Sequence, residues 1–216
     1  MRKSRRPRII GGGLAGVEAA YLLAVRGLSV DLFEMRPFVS TPAHQTGLLG
    51  ELVCSNSLKG TAPDTAHGLL KKELDRLDSL VLQTAFEHRV PAGKALAVDR
   101  QAFAAALTGK IESQEHIRVI REEVLDIDPE VPTIVATGPL TSEGFAARLS
   151  QLAGSDRLFF YDAISPIVDA QSIDMDRAFF GSRWDRQSAD YLNCPLNEEE
   201  YRRFVDELLR ADRAAG

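Results

Sequence analysis

The sequence is poor in cysteine, has no long apolar run and shows no cluster of metal-binding side chains. Each absence excludes a class of protein. Two cysteines in 216 residues, Cys54 and Cys194, cannot build a disulfide scaffold and show no zinc-site spacing, which fits a protein of the cytoplasm. No apolar stretch approaches the roughly 18 residues needed to span a bilayer. The charged start runs into a glycine loop with no apolar segment between, so no signal peptide is expected. No His, Cys, Asp or Glu grouping has the spacing of a metal site, and no metal is expected. Internal repeats and low-complexity segments are also missing.

What remains is an ordinary globular composition, 44% hydrophobic and 26% charged, at a length that can bury a useful core. The net charge is −5. Five of the 26 basic residues (Arg2, Lys3, Arg5, Arg6, Arg8) precede the glycine loop, so the body is more acidic than that figure indicates. An acidic body argues against broad, nonspecific binding of nucleic acid but leaves room for a local basic groove. The basic start itself reads as a solvated tail.

The pattern along the chain is that of an α/β protein. Residues 7–10 read as a short buried strand, with Pro7 at its first position where proline is tolerated. Val17 to Arg26 reads as a helix, followed by Gly27, and 29–34 as a second strand. Residues 35–68 have little periodicity and many breakers, a length of loop that is usually functional. Leu70, Leu74, Leu77 and Val81 recur at helical spacing and predict one amphipathic helix. A strand is expected at 95–98, a helix at 100–112 capped by Asp99, and strands at 117–124 and 133–136. Beyond Pro139 a helix is expected to about Leu152, then strands at 158–161 and 178–180. A last helix is capped by Asn197, with Glu200 completing a capping box. The predicted fold is a Rossmann-like parallel sheet over residues 1–140, followed by the beginning of an inserted α/β domain over 141–216.

The chemistry is carried by a few short strings. Gly11-Gly12-Gly13-Leu14-Ala15-Gly16 matches G-x-G-x-x-G between a strand and a helix. There the first glycine permits the turn, the second admits a pyrophosphate and the third lets helix and strand pack closely. The helix N-terminus offers N–H groups and a positive dipole end to phosphate. Glu34 ends the second strand, where a carboxylate accepts from ribose hydroxyls and disfavours a 2′-phosphate, so NADP is not expected in this site. Arg36 follows it. Val124 ends the strand expected at 117–124. Thr133 to Pro139 is an apolar strand closing in Ala-Thr-Gly, which resembles the strand end that passes close to FAD in two-dinucleotide-domain flavoproteins. Val124, Thr137 and Gly138 are therefore candidate cofactor contacts, and FAD is the expected cofactor.

In the long loop, Cys54 stands in Leu-Val-Cys-Ser-Asn-Ser. It is either an accessible thiolate nucleophile or a buried inert cysteine. His44 is a candidate substrate contact or acid–base group, or simply a loop histidine. Asn56 belongs to the same polar cluster and is a candidate substrate contact. Arg100 either lines the flavin cleft or serves as an ion-pair partner beside the Asp99 cap. Cys194 reads as structural.

These strings together resemble one family, the FAD- and folate-dependent tRNA (uracil-5-)-methyltransferases, which are related to the flavoenzymes that modify tRNA wobble uridine. The matching text includes Ile-Gly-Gly-Gly-Leu-Ala-Gly, Glu-Met-Arg-Pro, Thr-Pro-Ala-His, Glu-Leu-Val-Cys-Ser-Asn-Ser-Leu, Leu-Ala-Val-Asp-Arg, Ala-Thr-Gly-Pro-Leu-Thr-Ser and Tyr-Leu-Asn-Cys-Pro. The resemblance implies bound FAD, with NAD(P)H as reductant and 5,10-methylenetetrahydrofolate as carbon donor. It implies methylation at C5 of a T-loop uridine in tRNA. The family uses two cysteines in this chemistry, and Cys54 matches the first. Family members are about twice this length, and Cys194 does not match the second cysteine. The chain is thus expected to be the N-terminal half, with the C-terminal half as its partner. Two rival expectations are another flavin oxidoreductase without a nucleic-acid substrate, and a non-catalytic nucleotide-binding remnant.

Overall fold

The computed structural model describes residues 6–154, 169–181 and 191–211. Two strands and a helix open the chain as β1 (Arg8–Ile10), α1 (Leu14–Ala24) and β2 (Val30–Glu34), with β6 (Ile117–Arg121) and β7 (Thr133–Val135) joining them later. These four strands form one sheet in the order β6-β2-β1-β7, every pair parallel. All five residues of β2 are buried, as a strand covered on both faces requires. Asp31 is a charged residue within it, and it is neutralised by a two-point pairing with Arg118, Nε to Oδ1 at 2.9 Å and Nη2 to Oδ2 at 2.7 Å.

The core is built from Ile9, Val30 and Leu32 of the sheet against Val17, Ala20 and Ala24 of α1. Helix α4 (Arg100–Glu112) adds Phe103, Leu107 and Ile111. Its N-cap Asp99 accepts from the amides of Gln101 and Ala102, as its sequence predicted. Phe103 is fully buried, so Phe103→Ala should cost about 3–5 kcal/mol of stability in urea unfolding. A loss below about 1 kcal/mol would mean that α4 is not part of this core.

The connection from β2 to β6 departs from the sequence expectation. The loop is interrupted by β3 (Ser57–Gly60), which pairs antiparallel with β5 (Ala95–Val98), itself paired with β4 (Arg89–Val90). The single helix expected over 70–81 is two, α2 (Ala66–Arg76) and α3 (Leu80–Glu87). Asp78 breaks the run with φ of 56°, and Ser79 caps α3 by accepting from the Leu82 amide at 3.1 Å. Glu18 of α1 completes that cap, its Oε2 accepting from Ser79 Oγ and the Val81 amide, each at 2.9 Å. Leu70 and Leu77 are accordingly exposed rather than buried along one face.

The expected solvated tail is corrected in part. Arg8 lies in β1 with its guanidinium 5.6 Å from the Phe33 ring centroid, and Arg6 pairs with Asp31 at 3.8 Å. Arg2, Lys3 and Arg5 lie outside the described residues.

Helix α5 (Glu143–Ala153) follows a 3₁₀ turn at Gly138–Leu140 and buries Phe145. The chain divides into two compact units, Met1–Val90 with Lys94–Ser165, and Pro91–Gly93 with Pro166–Gly216. The second unit holds the antiparallel pair β8 (Phe179–Gly181) and β9 (Tyr191–Asn193) and helix α6 (Glu198–Arg210). Both halves of the capping box expected at Asn197 and Glu200 are formed. The strand expected at 158–161 lies outside the described residues. Among the described residues no helix is long and apolar enough to cross a membrane.

Candidate functional site

In the sheet order β6-β2-β1-β7, the connection after β1 runs to one side and β7 lies on the other. Such a reversal opens a crevice at the carboxyl ends of the two neighbouring strands. Here those ends deliver Gly11–Gly13 from β1 and Ala136–Gly138 from β7, with Glu34 at the end of β2 and Glu122–Val124 after β6. A cleft of about 460 Å³ opens at this point, walled on its far side by His44 and residues 51–55 and 57–59. That volume lies within the range of small-molecule sites.

The glycines divide by what a side chain would meet. At Gly11, φ is +106° and a Cβ would lie 2.6 Å from the Ala136 carbonyl oxygen. At Gly16 a Cβ would collide with the Gly11 carbonyl oxygen, so this glycine sets the approach of α1 to the loop. Gly13 differs: a Cβ there meets nothing within 4 Å. It is the N-cap of α1 with extended backbone and no side-chain cap. The helix N-terminus therefore borders open space in the cleft beside Gly13, which is what an anion-binding helix N-terminus needs.

Glu34 is 5% exposed and fully engaged. Its Oε2 accepts from the Gly12 amide at 2.9 Å and Arg36 Nη2 at 3.1 Å; its Oε1 accepts from the Arg36 amide at 3.0 Å and Nε at 2.8 Å. Burial alone would raise its pKa. The Arg36 side-chain and backbone hydrogen bonds, the Arg36 charge and the Gly12 amide outweigh burial and hold it below the ordinary value of 4.5. A depressed native pKa contributes stability that is complete above the unfolded value and lost as pH falls through the lower native value. Denaturant unfolding from about pH 7 to about pH 3 should thus show the stability gap between wild type and Glu34→Gln narrowing in acid. A gap independent of pH contradicts this.

Of the other candidates, Leu14, Ala15, Arg36, His44, Cys54, Val124, Thr137 and Gly138 all line the cleft. Cys54 is exposed and not in a disulfide, so it is not the buried cysteine of the second alternative. His44 places Nδ1 2.9 Å from Thr41 Oγ1. Two candidates lie outside the lining of this cleft. Asn56 does not line the cleft; its Nδ2 donates to the Val98 carbonyl at 3.1 Å and its own carbonyl accepts from the Val98 amide at 3.0 Å, so it staples the loop to β5. Arg100 is in the first turn of α4, also outside the cleft lining. Cys194 is exposed and belongs to no core. No group of three or more metal-ligating residues occurs among the described residues.

Among the cleft residues that sequence reasoning missed are Glu51, Lys59 and Phe145. Glu51 stands three residues before Cys54 within the same string, but a lone acid in a loop carries no periodic or spacing signal. Lys59 sits in a β-bulge with φ of 67°, which only the unrecognised strand β3 explains.

Comparison with known proteins agrees in kind. Residues 7–215 match the sequence pattern of the family described as glucose inhibited division protein A. The chain is 56% identical over 205 residues to the methylenetetrahydrofolate–tRNA-(uracil-5-)-methyltransferase TrmFO of Koribacter versatilis, covering 94% of this chain and 46% of that one. It is 53% identical over 205 residues to the protein of the same name from Aquifex aeolicus, covering 95% and 46%. The chain thus spans a little under half the length of these relatives. A solved structure of GidA from Aquifex aeolicus aligns with 63% of this chain and 26% of that chain, at 20% identity and a TM-score of 0.49.

Proposed function

The chain belongs to the glucose inhibited division protein A family, and from that membership we propose that it is the FAD-binding part of a folate-dependent tRNA (uracil-5-)-methyltransferase of the cytoplasm. The observation that carries the cofactor is the space beside Gly13, open where Gly11, Gly12 and Gly16 are crowded. The amides at the start of α1 receive the pyrophosphate of FAD, and the α1 dipole adds to their attraction. Glu34 accepts from the Gly12 amide and so orients it at the adenosine end of the cleft. Thr137 and Gly138 border the path toward the flavin. The chemistry that FAD supplies, when bound, is carriage of the one-carbon unit of methylenetetrahydrofolate with reducing equivalents from NAD(P)H.

Uracil C5 is a weak nucleophile until a group adds at C6, and an accessible thiolate suits that addition. Cys54 is the chain's functional thiol in this reading, exposed at the far wall of the same cleft. The 52–56% identity to methyltransferases of this name supports the substrate. Their greater length supports a division of labour, in which this chain grips the nucleotide and the other half encloses the flavin and much of the tRNA.

The experiment follows from that division. The 216-residue chain is incubated with FAD, NADPH, methylenetetrahydrofolate and unmodified tRNA, beside a version extended to the relatives' length. The extended protein should form methyluridine, and the short chain should form none and lose flavin on gel filtration. Comparable product from the short chain would overturn the division of labour. No product from the extended protein would overturn the assigned reaction.

A further inference from the structure

Hydrogen bonds run without a break from the glycine loop to the far wall of the cleft, and Glu51 is the residue on which they converge. The Gly12 amide donates to Glu34, and Glu34 is gripped by the Arg36 fork. Arg36 Nη1 donates to Glu51 Oε2 at 2.6 Å. Glu51 also accepts from the Gln45 amide at 2.9 Å, the Thr46 amide at 3.3 Å and Thr46 Oγ1 at 3.0 Å. One carboxylate thus gathers the loop that carries His44 and ties it to the guanidinium beside Glu34. The side chains of Arg36, Glu34 and Glu51 are 2%, 6% and 12% exposed, so these charges are poorly screened by water.

Arg36 alone beside Glu34 would make a neutral pair, and an arginine in that position is a ready partner for a phosphate. Glu51 changes the balance. With two carboxylates on one guanidinium the cluster carries a net negative charge, and all three kinds of guanidinium nitrogen, Nε, Nη1 and Nη2, are already donating to them. A ribose bearing a 2′-hydroxyl tolerates that field, whereas a 2′-phosphate is repelled by it.

We propose that Glu51 is a positioning and specificity-determining residue of the nucleotide cleft, holding Arg36 so that the ribose end stays anionic and rejects 2′-phosphorylated nucleotides. The inference rests on the dinucleotide reading of the site. Glu34 alone does not set the selectivity, because Arg36 cancels its charge.

The test is calorimetric titration of the whole chain with ADP-ribose and with 2′-phospho-ADP-ribose. Wild type should prefer the unphosphorylated ligand. Glu51→Gln should shrink that preference roughly tenfold, mainly by improving the 2′-phosphorylated ligand, and Glu51→Asp should restore it. Limited proteolysis should cut the 41–50 loop faster in Glu51→Gln. Glu51→Ala repeats the comparison if thermal unfolding shows that the glutamine variant does not fold. A merely structural role would weaken both ligands equally, so an unchanged ratio in a folded neutral variant overturns the proposal while leaving the dinucleotide site intact. Failure of wild type to bind either ligand overturns the dinucleotide reading and the proposal with it.

Discussion

Gly13→Val should abolish FAD binding while leaving the fold in place. The added side chain projects into space where no protein atom lies within 4 Å of the Cβ, so the folded chain accommodates it. That space borders the N-terminus of α1, where the pyrophosphate belongs. A valine there denies the phosphate its approach to the backbone, and loss of affinity by at least about a hundredfold is expected from the several hydrogen bonds forfeited together. Flavin content and a tight-binding titration, made in a protein of the relatives' length, read the effect. Gly16→Val is the informative contrast, because its side chain collides with the Gly11 backbone and should unfold the unit itself. Unchanged FAD affinity in Gly13→Val would remove the glycine loop from the cofactor site.

Cys54→Ala should eliminate uridine methylation with little effect on stability. The thiol is exposed and lies off every core-facing strand and helix, so truncation leaves no cavity, and thermal stability should move by no more than about 1 kcal/mol. The chemistry has no such tolerance: an alanine methyl cannot add to a pyrimidine ring, and a fall in turnover of about a thousandfold or more is expected when a nucleophile is removed. Cys194→Ala should leave methylation unchanged. Normal methylation by Cys54→Ala, or its failure to fold, would return Cys54 to a structural role.

The elements legible in the sequence are those whose signals are local and doubled. The glycine loop sits between an apolar strand and a helix, and Asn197 and Glu200 cap one helix from both directions. Asp99 caps α4, and the Ile134-centred strand ends in a turn. The parallel pairing of β1 with β2 follows from the βαβ unit once those strands are recognised. The helix over 70–81 misled because its leucine spacing runs through Asp78 and Ser79, and the positive φ of Asp78 and the cap shared with Glu18 are tertiary events. Strands β3 and β4 are short and gain their partners from β5, Ser57 pairing with Ala97 and Gly60 with Ala95 in the first case, so periodicity within them is too brief to register.

The candidate site was legible where residue type and fold position coincide, at Gly13, Glu34, Thr137 and Gly138. It was not legible where a side chain acts through others. Asn56 looked like a substrate contact because polar clusters in loops often are; its amide instead satisfies the Val98 backbone. In the sequence Arg36 is marked only by its place beside Glu34, and it is held by Glu34 and Glu51. Neither pairing has a signature along the chain, because both depend on how the 36–56 segment folds back over the sheet.

The most direct measurement of the central claim, that the carboxyl ends of β1, β2 and β7 form a nucleotide cleft, is titration of the isotope-labelled 216-residue chain with ADP-ribose followed by amide NMR. The amides of Gly11 to Gly16, with those beside Glu34 and Thr137, should shift together and saturate, while Arg118 and Asp128 at the opposite ends of the strands stay still. Shifts confined to other residues, or none at saturating ligand, would contradict the account.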